Sequence, residues 1–375
     1  MSSLPALDTQ TQMNHSPHVV LLGAGASIAS TIRNPEKNGK SLPGMANLVE
    51  TLGLEPLIER YGASYEGQNF ETFYDQLSQS GQHPELLVEL EQAIYDYFSD
   101  LKLPDEATVY DYLVLSLREK DIIATFNWDP FLAQAFARNM HIIGYDRMPQ
   151  MAYLHGNVAI GVCYSCKTMG WRQNGCTKCS KDFSPSKLLY PVGKKDYAND
   201  EFIANEWERL KWHMKHAYYI TVFGYSAPKT DKEARKLLLD EWQANPVQEL
   251  AEIDIVDILA SSDRSALEAN WQEFFVRSHY ALFDSFQMSQ LFFHPRRSCD
   301  AFAMATLQLR PWLTNVFPEE MSLAELQDWV QPLIEEEKAS MFSGKTCGEL
   351  IKSARTLQEK TSPEARQRQE RKSDN

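Results

Sequence analysis

The sequence is short of positive charge, sparing with glycine and proline, and has no long apolar run. Its 375 residues carry 37 Lys+Arg against 51 Asp+Glu, a net charge of -14. A surface that acidic repels phosphate backbones, so direct nucleic-acid binding is not expected without a local basic patch. No stretch reaches the roughly 18 apolar residues that a membrane helix needs, so no membrane association is expected. With 17 Gly and 18 Pro the chain is neither collagenous nor low in complexity. Residues 1–17 lack the charged and apolar regions of a signal peptide and read as a flexible leader. A cytoplasmic location is therefore expected.

Cysteine is scarce too, but its placement is informative. Of 6 cysteines, Cys163, Cys166, Cys176 and Cys179 are clustered, whereas Cys299 and Cys347 stand alone and read as inert thiols. Two C-x-x-C knuckles each offer two thiolates from one turn, and together they supply a tetrahedral, all-cysteine zinc site. A redox pair or four free thiols are the alternatives. A zinc ion with four thiolates has no open position, so its role would be structural.

Apolar runs at 18–22, 121–126, 218–223 and 253–258 predict buried strands, the last interrupted by Asp254 and Asp257. Helical patterns occupy roughly 45–61, 69–80, 84–99, 106–118, 130–139, 200–216 and 231–243, with a polar loop over 28–44. Strands alternating with helices predict an α/β fold, a Rossmann-like parallel sheet with helices on both faces. A small zinc-ribbon insert over about 156–195 and a mostly helical part over 263–352 complete it. The latter suits oligomer or partner contacts, or is the rest of the main core. Capping-box spacings stand at Ser265/Glu268 and Ser322/Glu325, and 353–375 is a polar tail in which disorder is expected.

The chemically interesting residues follow the strands, where ligands sit in such sheets. Gly23-Ala24-Gly25-Ala26-Ser27 lets backbone amides approach a pyrophosphate, with Ser27 as a further donor, or is simply a tight turn. If Gly25 faces phosphate, Gly25→Val should weaken ligand binding and leave the fold intact. Asn127 and Asp129 follow the second strand, and Gly224 and Ser226 follow the third. His155, before the cysteine insert, is a general base or a structural histidine. His213 and His216 read as surface or core residues.

Taken in order, Gly23–Ser27, Thr125-Phe126-Asn127-Trp128-Asp129, His155-Gly156, the two knuckles and Gly224-Tyr225-Ser226 with Asp231 resemble the sirtuin superfamily. Leu42-Pro43-Gly44, the helix containing Trp207 and the Gly-Tyr-Ser-x4-Asp segment are similar to its bacterial sirtuin-like, NAD-hydrolysing group. The resemblance covers about residues 18–260, implying one NAD-binding domain over 18–262. It implies NAD as substrate, with Gly23, Ala24, Gly25, Ala26 and Ser27 around the pyrophosphate and Asn127 and Asp129 at the nicotinamide ribose. Gly224, Ser226 and Asp231 would lie along the phosphate–ribose side. Asn127 and His155 would be catalytic, one orienting water and the other taking its proton.

The activity implied is an NAD hydrolase that depletes NAD in antiphage defence, acting as a homo-oligomer or with a sensor or ATPase partner. The loop after the glycine turn holds Arg33 but no Gly-Ile-Pro-Asp-Phe-Arg motif, and Leu188–Lys194 stands where a peptide clamp would be. An NAD-dependent protein deacylase and a non-catalytic module binding NAD or an ADP-ribose derivative are the alternatives.

Overall fold

A computed structural model describes residues 16–31, 40–191, 197–227, 231–307 and 315–343. Most of the leader, Arg33, residues 192–194 of the clamp segment, Cys347 and the polar tail lie outside the described residues.

The chain begins with β1 (His18–Leu22) and α1 (Ala24–Thr31). There follow α2 (Leu48–Leu52), α3 (Glu55–Arg60), α4 (Phe70–Ser80), α5 (Pro84–Ser99) and α6 (Val109–Ser116). Next are β2 (Ile122–Thr125), α7 (Phe131–Ile143) and β3 (Gln150–Tyr153), then the insert strands β4 (Ile160–Cys163), β5 (Thr168–Trp171) and β6 (Ser184–Pro185). The chain continues with α8 (Glu201–His216), β7 (Tyr219–Phe223), α9 (Lys232–Gln243), β8 (Glu252–Val256), α10 (Leu259–Ser262) and α11 (Arg264–Phe275). It ends with β9 (His279–Phe283), α12 (Gln290–Phe293), α13 (Ser298–Leu307) and α14 (Leu323–Ser343).

Six strands form one parallel sheet in the order β3-β2-β1-β7-β8-β9. Renumbered along the chain this is 3-2-1-4-5-6, the doubly wound order whose reversal falls between β1 and β7. All five residues of β1 and of β7 are buried, as strands covered on both faces require. The fold class read from the sequence stands.

Several local expectations are corrected. The helix over 45–61 is two helices, because Gly53 adopts φ 64° and ends α2. The loop over 28–44 begins later than expected, since α1 runs to Thr31. Asp263, not Ser265, caps α11 by accepting from the Ala266 amide at 3.1 Å. The Ser322/Glu325 box forms, with Ser322 N–H donating to Glu325 at 2.9 Å and Glu325 N–H to Ser322 at 3.3 Å. β9 lies beyond residue 262 yet pairs with β8, so the segment after 262 shares the main sheet.

α14 is tied to this core by buried charge. Arg296 donates to Glu337 through Nε (2.8 Å) and Nη2 (2.7 Å), and Arg297 adds a third bond at 2.6 Å. Burial alone would raise the Glu337 pKa; the two arginines outweigh it and hold the carboxyl at about 2. A depressed carboxylate stabilises above its ordinary 4.5 and loses that contribution as pH falls through 2. Glu337→Ala would leave two buried guanidinium groups unpaired, and a loss of about 3–5 kcal/mol in urea unfolding at neutral pH is expected.

Asp254 has the opposite character. Fully buried in β8, it accepts from the Tyr219 hydroxyl at 2.9 Å, and burial, with Glu252 nearby, pushes its carboxyl up to about 8. A raised carboxyl favours the fold while protonated, so its contribution is lost as pH rises through 8. The Asp254 contribution to melting temperature should fall between about pH 4 and 8 and level off above that, and Asp254→Asn should flatten the decline.

Candidate functional site

The sheet reversal is built by three glycines packed on each other. Gly23 N–H donates to the Phe223 carbonyl and Gly25 N–H to the Gly224 carbonyl, each at 3.0 Å. A Cβ on Gly25 would lie 2.6 Å from Gly224 Cα, and one on Gly23 would lie 2.5 Å from the Gly224 carbonyl oxygen. Gly224 has φ +62°, and its Cβ would meet the Ala26 nitrogen at 2.4 Å. These glycines are therefore needed by the backbone itself, whatever binds there.

The expectation for Gly25→Val is corrected accordingly: the variant should lose thermal stability and ligand affinity together. Ala24, exposed in the first turn of α1, is the cleaner probe. Ala24→Val should keep the melting temperature and weaken binding of any phosphate ligand at that helix end, measured by titration calorimetry.

Below the glycine turn lies a closed polar network. The buried Ser27 hydroxyl donates to Asp129 at 2.7 Å and sits 2.7 Å from the Tyr110 hydroxyl. Having given its one proton to Asp129, Ser27 accepts from Tyr110 and, at 2.9 Å, from Asn127 Nδ2. The same Asn127 nitrogen donates to the Gly23 carbonyl at 2.8 Å. Asp129 also accepts from the Phe131 amide at 3.2 Å, and burial pushes its carboxyl up to about 6 against the pull of Ser27. Ser27, Asn127 and Asp129 are thus joined, with Ser27 and Asp129 turned inward to brace the turn. Tyr110, absent from the sequence reading, is its fourth member.

A second group surrounds His155. β2 and β3 pair with Thr125 opposite Tyr153, so Asn127 and His155 each stand two residues past a register pair. Asn157 ties the two loops, its Nδ2 donating to the Asp129 carbonyl at 2.6 Å. The Phe126 ring is stacked on Tyr225 at 4.0 Å and edge-on to His155 at 5.0 Å. His155 Nε2 is 3.0 Å from the Tyr197 hydroxyl, which donates to Asp231 at 2.9 Å. Asp231 also accepts from the Ala234 amide at 3.2 Å, capping α9. Its carboxylate is buried, whereas Ser226 is exposed at the sheet edge. Tyr197 carried no signal in the sequence, being 42 residues from His155 beyond the cysteine insert.

Two cavities flank these groups. One, about 550 Å³, lies across the carboxyl ends of β1, β7, β8 and β9 and is lined by Gly25, Gly224, Asp257, Asp284, Ser285 and Glu319 among others. Among the described residues, no lysine or arginine lines it. Asp257 and Asp284 each follow a strand, a position from which an acidic side chain can bind ribose hydroxyls. The sequence marked Asp257 only as a break in an apolar run, and Asp284 was not singled out. The other cavity, about 630 Å³, is walled by Tyr74, Tyr95, Arg172, Lys187 and Tyr190. It adjoins the segment whose Leu189 amide donates to the His155 carbonyl at 2.9 Å.

The insert has almost no core of its own: Cys163, Cys176 and Phe183 form a small cluster apart from the main one. The sulfur atoms of Cys163, Cys166, Cys176 and Cys179 all lie within 4.8 Å of one another, and Cys163 and Cys179 are 3.7 Å apart. Zn–S bonds of about 2.3 Å in a tetrahedron require S–S separations of about 3.8 Å, so the set fits one zinc ion in a structural role. The Thr168 hydroxyl lies 3.2 Å from the Cys176 sulfur, where it can steady a thiolate ligand. His213 and His216 are not part of any such group among the described residues. Their Nδ1 atoms lie 2.7 and 2.6 Å from the carbonyls of Arg209 and Trp212. Cys299 is buried, and burial pushes its thiol up to about 12.

No protein-family model and no curated protein matches the chain. Among solved structures, a Sir2 homolog–NAD complex is 14% identical, with 80% of this chain and 93% of that chain covered and a TM-score of 0.33. Sir2Tm bound to a propionylated peptide is 13% identical, covering 80% of this chain and 97% of that one with a TM-score of 0.35. A structure reported for the mechanism and regulation of Sir2 enzymes is 16% identical, covering 71% and 95% with a TM-score of 0.32. These superpositions are loose. No helix among the described residues is long and apolar enough to cross a membrane.

Proposed function

We propose that the chain binds NAD across the sheet reversal and hydrolyses its nicotinamide–ribose bond. The observation that carries this reading is the shared placement of the groups. Asn127 and His155 follow adjacent strands at matching positions, and the Asn127 amide is hydrogen-bonded to the glycine turn where a pyrophosphate would lie. In this reading Gly23–Ser27 and Gly224 form the pyrophosphate turn, and Asp257 and Asp284 take the adenosine ribose in the 550 Å³ cavity. Ser226 lies along the phosphate–ribose side. Asp231 acts from within the His155 group.

The chemistry asks little of the protein. Nicotinamide leaves as a neutral molecule from a cationic ring, through an oxocarbenium-like state related to that of glycoside hydrolysis. With Nδ2 engaged by Gly23 and Ser27, Asn127 has its carboxamide oxygen left to orient the attacking water. His155 accepts the proton from that water. The zinc ion would hold the insert, and with it the segment that hydrogen-bonds to His155; it takes no part in the reaction.

The 630 Å³ cavity supports a second reading, because a deacylase needs room for an acylated side chain and this cavity's wall includes Leu189, whose amide holds the His155 carbonyl. Nicotinamide release from NAD alone, and then with an acetylated peptide, separates the two. Release without peptide is expected. Release only with peptide would mean deacylation, and binding without turnover would mean a non-catalytic module. An NAD-depleting role in antiphage defence, as an oligomer or with a sensor or ATPase partner, is supported by the motif resemblance alone.

A further inference from the structure

We infer that Tyr197 and Asp231 are positioning residues that fix the tautomer of His155, so that Nδ1 is its basic nitrogen. This deepens the function proposed above and rests on it for its catalytic meaning, but the tautomer itself follows from counting protons. Asp231, as a carboxylate, has only lone pairs to offer. Tyr197 lies 3.0 and 2.9 Å from the two Asp231 oxygens, and its single hydroxyl proton is directed to them. Burial and then the neighbouring Asp231 push the tyrosine pKa far up, in keeping with a phenol that retains its proton. The tyrosine oxygen can then only accept from His155 Nε2, 3.0 Å away. Neutral His155 must therefore carry its proton on Nε2 and present the lone pair on Nδ1.

The packing holds this order in place. The rings of His155 and Tyr197 are nearly parallel, 14° apart with centroids at 5.8 Å, and Tyr197 also packs on Trp207 at 4.7 Å. Asp231 is anchored as the cap of α9. Its Oδ2 is 3.7 Å from His155 Nε2. None of this requires Tyr197 or Asp231 to touch substrate. The chain from α9 through Tyr197 to His155 has the logic of an acid–histidine pair with a phenol inserted between the two.

Two variants test the assignment. In Asp231→Asn the side chain still accepts from the Ala234 amide, but its NH2 donates to the tyrosine oxygen. Tyr197 then donates to His155 Nε2, and the proton moves to Nδ1. Tyr197→Phe keeps the ring packing and removes the relay. The protein would be labelled with ¹⁵N-histidine and the ring resonances assigned by loss in His155→Ala. Wild type should show Nε2 protonated and Nδ1 unprotonated, Asp231→Asn the reverse, and Tyr197→Phe a mixture.

For nicotinamide release, kcat should fall about 100-fold in Asp231→Asn and about 10-fold in Tyr197→Phe, with KM within about threefold. The first figure is below the roughly 10⁴ lost when an aspartate bonded directly to a catalytic histidine becomes asparagine. A wild-type His155 protonated on Nδ1, or an unchanged tautomer in Asp231→Asn, would overturn the inference. Wild-type protein that releases no nicotinamide would refute the proposed hydrolase and leave the resonance measurement to decide the tautomer.

Discussion

His155→Ala should release nicotinamide about 10²–10⁴ times more slowly than wild type, the usual cost of losing a general base. NAD should still bind within roughly tenfold, because the glycine turn and the 550 Å³ cavity do not include the His155 side chain. Asn127→Ala should lose as much rate but bind NAD less well. Its Nδ2 holds the Gly23 carbonyl and Ser27, so removing it loosens the turn as well as the water. That difference arises from the structure. The double variant should be little slower than Asn127→Ala, since residues that act as a unit are not additive. Quench-flow measurement of nicotinamide beside calorimetric titration of NAD reads both quantities.

Removing zinc should unfold the insert and lower nicotinamide release. The insert's buried cluster is two cysteines and one phenylalanine, far too little apolar area to order a three-stranded sheet alone. Gly161 and Gly170 show how tightly Phe183 is enclosed: added Cβ atoms would lie 2.4 and 2.8 Å from its side chain. Structural zinc sites in small domains contribute about 10–16 kcal/mol of apparent binding energy, which is folding energy for the segment they close. Cys176→Ser should therefore release the metal and expose the insert to protease. It should also lower nicotinamide release, because β6 leads into the segment whose Leu189 amide holds the His155 carbonyl. Metal analysis should find about one zinc per chain in wild type, and the absence of zinc with all four thiols alkylatable in the native protein would refute the site.

Much of the frame was legible in the sequence, and the reasons are specific. β1, β2, β7 and β8 are short apolar runs buried on both faces, and each was placed within two residues. β3 and β9 left no such trace. Gln150 and Met151 are only partly buried, and β9 is an edge strand whose first two residues, His279 and Tyr280, are exposed. Strand order was legible only as a class, because the reversal between β1 and β7 depends on pairings across about 200 residues.

The site was legible as separate motifs but not as contacts. Gly23 and Gly25 read as ligand-facing glycines, whereas their first task is to let the Gly224 backbone approach. Ser27 read as a donor to pyrophosphate and Asp129 as facing a ribose, whereas in the structure the Ser27 hydroxyl donates to Asp129. Tyr110, Tyr197 and Asp284 could not be singled out: a tyrosine or aspartate gains meaning there only through a partner distant in sequence. The four cysteines were the exception: their type and spacing pointed to one metal site, and the structure brings the four sulfurs within 4.8 Å of one another.

The most direct test of the account is the position of NAD bound to His155→Ala in a crystal structure. The pyrophosphate should lie against the first turn of α1 at Ala24–Gly25, with the adenosine ribose near Asp257 and Asp284. The nicotinamide ribose should lie within about 3.5 Å of the Asn127 carboxamide, the reach of a hydrogen bond. NAD bound elsewhere, with the turn between Gly23 and Gly224 empty of phosphate, would contradict it.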